Sequence, residues 1–160
     1  MRRENLLTDE HLRAMGRIMF NFAGLEMVSK VTLQAFIGAA AQEGYILTAG
    51  LSMETVLEVL ESLCEHRFAS SPDELAEWRR LLGKAREAKA KRNGIVHSVW
   101  ALTADPDVIL QIRMKPKAVG NWADAPQLRP ADVNKVADEI AEVWASFTPF
   151  LARLTPPRSS

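Results

Sequence analysis

Lys91-Arg92-Asn93-Gly94-Ile95-Val96-His97-Ser98-Val99-Trp100 is the stretch of this 160-residue chain whose residue types and spacing fit chemistry. An unperturbed imidazole titrates near pH 6.5, so a histidine can accept or donate a proton at cellular pH. A guanidinium stays charged and can hold phosphate oxygens in a bidentate fork as negative charge builds on them. On a helix at about 100° per residue, Asn93 and His97 are i,i+4 neighbours, within reach of a side-chain hydrogen bond. Arg92 then lies about 140° from His97, with Lys89 and Val96 in the sector between them. Asn93 is placed to fix the imidazole or to donate to a phosphate oxygen. These groups suit cleavage of RNA by its own 2′-hydroxyl, with Arg92, Asn93 and His97 as candidate catalytic residues. Such chemistry needs no metal or other cofactor, and His11, His66 and His97 are too dispersed to form a ligand set.

Arg92 also falls on the helix face that Trp78 and Ala85 use for packing, and an unpaired buried charge is very costly. A purely structural reading therefore stands beside the chemical one. In it, Arg92 pairs with an acid such as Glu26 or Glu58, and His97 caps or packs near the helix end.

The pattern Arg92-Asn93-x-x-x-His97 resembles the Arg-x(4–6)-His signature of HEPN domains, a superfamily of small, all-α, typically dimeric proteins. Asn93 matches the polar residue often found after the arginine, and Ser98 and Trp100 also fit. Many members are metal-independent endoribonucleases of toxin–antitoxin and defence systems, and others are binding modules without activity. The resemblance implies a homodimer whose two motifs meet at the interface, an RNA substrate and an antitoxin partner. The alternative it carries is an inactive HEPN-like module that binds RNA, nucleotide or protein. Lys89, Lys91 and Trp100 are the candidate substrate-binding residues.

Helical periodicity dominates the elements that must position this motif. The apolar spacing of Met15, Ile18, Met19, Phe22, Leu25, Val28, Phe36 and Ile37 predicts a helix from about Asp9 to Ala40, with a bend allowed at Gly24. Residues around Gln42-Glu43-Gly44 and Ala49-Gly50 read as loop. Ser52 is a fitting N-cap for a second helix with Met53, Val56, Leu57, Leu60, Leu63 and Cys64 inward. Ser71-Pro72-Asp73-Glu74 predicts a capping box at the start of the third helix, which extends toward Val96 unless Gly94 breaks it. Val99–Thr103 and Val108–Met114 alternate as a hairpin around Ala104-Asp105-Pro106-Asp107. Lys115 to Arg129 reads as loop, with Trp122 beside Lys115 and Lys117 as a further RNA or partner contact. Pro130 opens a last helix that Pro156-Pro157 stops. The expected architecture is one all-α domain over residues 1–160, with its core at about 9–154. It is an antiparallel four- to five-helix bundle with a small β-hairpin between the third and last long helices.

Composition narrows the setting. Hydrophobic residues make up 48% and charged residues 25%, which excludes wholesale disorder. No apolar run reaches the roughly 18–20 residues that span a bilayer. The N-terminus lacks the apolar core of a secretory signal, and Cys64 stands alone, so a cytoplasmic protein without a membrane partner is expected. Formal net charge is zero, but its distribution is uneven. Residues 42–78 hold eight acids against Arg67, whereas residues 79–117 hold ten bases against Glu87, Asp105 and Asp107. The basic block either holds a phosphate backbone or pairs with the acidic one.

Overall fold

The computed structural model describes residues 7–112 and 125–154. Helix α1 spans Asp9–Ile37, α2 Ala41–Thr48, α3 Met53–Arg67, α4 Pro72–Val96 and α5 Pro130–Leu154. Between α4 and α5 lie strands β1 (Val99–Leu102), β2 (Ile109–Ile112) and β3 (Gln127–Leu128), hydrogen-bonded as an antiparallel sheet in the order β1-β2-β3. The fold is a helical bundle with a small sheet. No described helix is long and apolar enough to cross a membrane.

Cross-helix pairs give the directions. Glu65–Arg79 and Glu61–Arg86 run α3 against α4, and Glu77–Arg153 and Glu139–Lys91 run α4 against α5. Arg17–Asp138 and the approach of Gly24 to Trp144 make α1 and α5 parallel, as the first and last members of an odd-numbered up-down bundle must be. The core holds Ile18, Leu25, Leu57, Leu60, Leu82, Val133, Ile140 and Phe147, all fully buried. Trp78 closes one end within T-shaped contacts to Phe36 and Phe150, centroids 5.1 and 4.7 Å away, and a stacked contact to Phe68 at 6.2 Å.

Local chemistry explains the element ends. Thr8 accepts from the His11 amide, and Asp9 and Glu10 meet the positive end of α1. Gly38, at φ 65°, ends α1 three residues earlier than the sequence reading, because its amide and that of Ala39 turn back to Ala35 and Gln34. Gly24 does not bend the helix region into two elements. A Cβ there would lie 2.7 Å from the Trp144 ring, so the glycine admits α5 against α1. Ser52 caps α3 by accepting from the Thr55 amide at 3.1 Å.

Three expectations are corrected. Gln42-Glu43-Gly44, read as loop, lie within α2: Gly44 lets the helix lie against Gln34, whose amide donates to Thr48 at 2.8 Å. The Ser71 capping box is not made, because Ser71 sits at φ −127°, ψ 75° with no side-chain bond to the helix. Pro72 still starts α4. Gln127–Leu128, read as loop, pair with Leu110 and Ile109 as a third strand. The loop reading for residues 115–124, including Lys115, Lys117 and Trp122, and the Pro156-Pro157 stop lie outside the described residues.

Cys64 is fully buried in the α3 stripe, and burial pushes its thiol up to about 12. Little thiolate therefore exists at neutral pH. Native protein at pH 8 is expected to leave Ellman's reagent unreacted over minutes, and protein in denaturant to release one equivalent. Rapid native reaction would contradict this packing.

Candidate functional site

The motif occupies the last turns of α4 and the turn into β1. The helix runs through Gly94 to Val96 without a break, and His97 is its C-terminal cap at φ −100°, ψ 14°. The Gly94 carbonyl accepts from Ser98 Oγ and from Gln111 Nε2, each at 2.5 Å. Gln111 is buried on β2, so this bond ties the sheet to the end of α4 and fixes where His97 emerges. His97 is exposed, and its amide donates to the Asn93 carbonyl at 3.1 Å.

Arg92 is half-buried. Its Cζ stands 5.0 Å from the centroid of the Phe22 ring, which provides a cation–π seat on α1. Its Nη1 donates to Asn93 Oδ1 at 2.9 Å, while Nε is buried without a hydrogen-bond partner. Among the described residues no carboxylate lies within ion-pair distance of it. Glu26 faces Lys30 at 3.9 Å, and Glu58 makes no bond to Arg92. Of the purely structural reading, the ion pair to Glu26 or Glu58 is not made, whereas His97 does cap the helix end. Asn93 therefore orients the guanidinium, and among the described residues no hydrogen bond joins its side chain to the imidazole.

Other candidates are not brought to the site. Lys89 is bonded to Glu54, and Lys91 to Glu139 at 2.7 Å, so each already has a counter-ion on a neighbouring helix. Trp100 leans on the core. Arg79–Glu65 at 2.7 Å and Arg86, at 2.7 Å from Glu61 and 3.6 Å from Glu54, continue the pattern. Three bases of that block, Arg79, Arg86 and Lys89, are thus matched to the acidic one, since α3 and α4 are antiparallel neighbours. Phe22 and Gln111 are the site residues that sequence reasoning missed. An aromatic and an amide on other elements carry no spacing signal.

Ion pairing marks Glu54. The hydrogen bond from Lys89, reinforced by the charges of Lys89 and Arg86, holds its carboxyl below the usual carboxylate range. A lowered folded-state value stabilises above the unfolded value, and that stabilisation is lost as pH falls through the folded one. The pair is substantially exposed, so its contribution is at most about 1 kcal/mol. Urea titrations of Glu54→Gln are expected to show a small deficit at pH 7 that vanishes in acid. A deficit independent of pH would point to packing instead.

Fold and site together define a five-helix bundle whose α4 end presents a guanidinium with no acid partner among the described residues and, about one turn further on, an exposed imidazole. Compared with protein-family models, curated proteins and solved structures, the chain matches none.

Proposed function

We propose that this chain is a metal-independent endoribonuclease of the HEPN type, working in the cytoplasm as a homodimer and held in check by an antitoxin partner. The observation that carries this reading is Arg92: half-buried, seated on Phe22, held by Asn93, and lacking a carboxylate among the described residues. A half-buried cation with no carboxylate among the described residues is suited to an anionic ligand, and a phosphodiester supplies one. His97, exposed about one turn further on, takes the proton from the RNA 2′-hydroxyl. The 2′-oxygen then forms its bond to phosphorus as the bond to the 5′-oxygen breaks, and the departing oxygen is protonated by water or by an imidazole. Arg92 stabilises the charge on the phosphorane oxygens. The products carry 2′,3′-cyclic phosphate and 5′-hydroxyl ends.

The counter-ions on Lys89 and Lys91 favour a second reading, a HEPN-like binding module without chemistry, because they remove two cations that would track an RNA backbone. Incubation of purified protein with mixed RNA in EDTA separates the two. Cleavage by the wild type that is lost in both His97→Ala and Arg92→Ala upholds the enzyme. Intact RNA at every salt concentration, with binding lost in Arg92→Ala, upholds the module.

A further inference from the structure

Helix α1 carries a second, unused pattern on its solvent side. Leu12, Gly16, Met19, Ala23 and Met27 follow at intervals of three and four residues, with Phe20 alongside, and all are exposed. They form one stripe, about 100° wide and four turns long, facing away from the core. Phe20 is 70% exposed and Met27 60%. The stripe ends where α2 crosses α1, leaving a groove of about 230 Å³ lined by Ala23, Met27, Lys30, Tyr45, Thr48 and Ala49. Tyr45 is itself 65% exposed.

We infer that this stripe is the docking surface for the α1 helix of a second copy of the chain, packed antiparallel about a two-fold axis between Met19 and Phe20. Three observations select that occupant. The first is self-complementarity, which a two-fold interface requires. Pairing about this centre sets Leu12 opposite Met27, Gly16 opposite Ala23 and Met19 opposite Phe20, so that large residues meet large ones and small residues meet small ones. Each copy's Leu12 then enters the other's groove beside α2.

Gly16 is the second observation. A glycine inside an exposed helix weakens it relative to alanine, and Gly24 is explained by the Trp144 ring against it. A Cβ at Gly16, by contrast, would meet nothing within 4 Å. Close approach of a second helix opposite Ala23, at an interaxial distance of about 8 Å, gives that glycine a reason.

Area is the third. At roughly 200 Å² for a side chain of this size, the exposed fractions of Leu12, Met19, Phe20, Met27 and Tyr45 leave on the order of 550 Å² uncovered per copy. That is the upper end of what a monomer exposes and a large part of the roughly 800 Å² each partner gives to a stable interface. Arg13, Ile46 and the backbone at Gly16 and Ala23 can supply the rest. Phe22, with Arg92 on its ring, lies on one flank of the stripe. Antiparallel pairing brings like flanks together, so both Arg92 residues come to one face of the dimer. The interface thus deepens the two-copy arrangement proposed above, while its test does not depend on RNA chemistry.

Sedimentation equilibrium of the full chain at micromolar concentration is expected to give twice the chain mass. Phe20→Glu and Gly16→Leu should each give the single-chain mass with unchanged far-UV circular dichroism, since neither side chain position is enclosed in the monomer. Met19→Cys should crosslink to itself with a short bismaleimide, and Ser62→Cys on α3 should not. Buried Cys64 stays silent in both. A wild-type monomer at all concentrations, or a dimer unmoved by both α1 variants, overturns the inference. A dimer of this kind that leaves RNA intact keeps the interface and removes the nuclease, and a monomer that cleaves RNA does the reverse.

Discussion

Replacing Arg92 by alanine is expected to lower RNA cleavage by roughly 10²–10³-fold, the usual loss when one preorganised group that stabilises transition-state charge is removed. His97→Ala, which removes proton transfer, is expected to cost about 10²–10⁴-fold. The informative variant is Arg92→Lys. A lysine keeps the positive charge but loses the planar fork that bonds Asn93 and the flat face that rests on Phe22. If the guanidinium acts by geometry, Arg92→Lys should resemble Arg92→Ala in single-turnover rate. If charge alone matters, lysine should restore most of the activity. Neither replacement is expected to unfold the protein, because Arg92 makes no ion pair among the described residues and the core beneath it is formed by other side chains. Circular dichroism melts of the variants check that point. A stable Arg92→Ala variant with wild-type cleavage would remove the phosphate-binding role.

The largest loss of stability should come from Trp78→Ala. Trp78 is fully buried between Phe36, Phe68 and Phe150, which belong to α1, the α3–α4 link and α5. One ring thus holds together elements distant in sequence. Truncating a buried tryptophan removes its transfer free energy and leaves a cavity, together about 3–5 kcal/mol. For a domain of this size each kcal/mol shifts Tm by about 2–4 °C, so the variant should melt on the order of 10 °C lower. Trp78→Phe should recover much of that loss, because a smaller ring still touches all three neighbours. A wild-type Tm for Trp78→Ala would mean that this end of the bundle is not packed as described. Since the site lies at the opposite end of α4, folded Trp78→Ala protein should retain whatever activity the wild type has.

Helix identities were legible wherever an apolar stripe was long and regular, as in α3 with Val56, Leu57, Leu60 and Cys64, because burial of one face is a local pattern. The Ser52 cap was legible for the same reason: donor and acceptor are three residues apart. The Ser71 box followed an identical rule and failed, because the turn from Phe68 through Ser71 sets a backbone conformation that the box does not fit. Glycine misled at Gly44, which suggested loop and instead marks the place where α2 comes close to Gln34, as Gly24 marks the approach of Trp144.

By itself the sequence determined the bundle, the hairpin and the adjacency of Arg92 and Asn93 at the end of α4, since each depends on residues near one another in the chain. Only the tertiary structure decided which charges are taken and which are left. Antiparallel α3 and α4 match Lys89 to Glu54, α5 matches Lys91 to Glu139, and Phe22 from α1 lies beneath an Arg92 that receives no acid among the described residues. The reason is physical: ion pairing and ring contacts act over a few ångströms in space, and residues tens of positions apart acquire that proximity only when the helices pack.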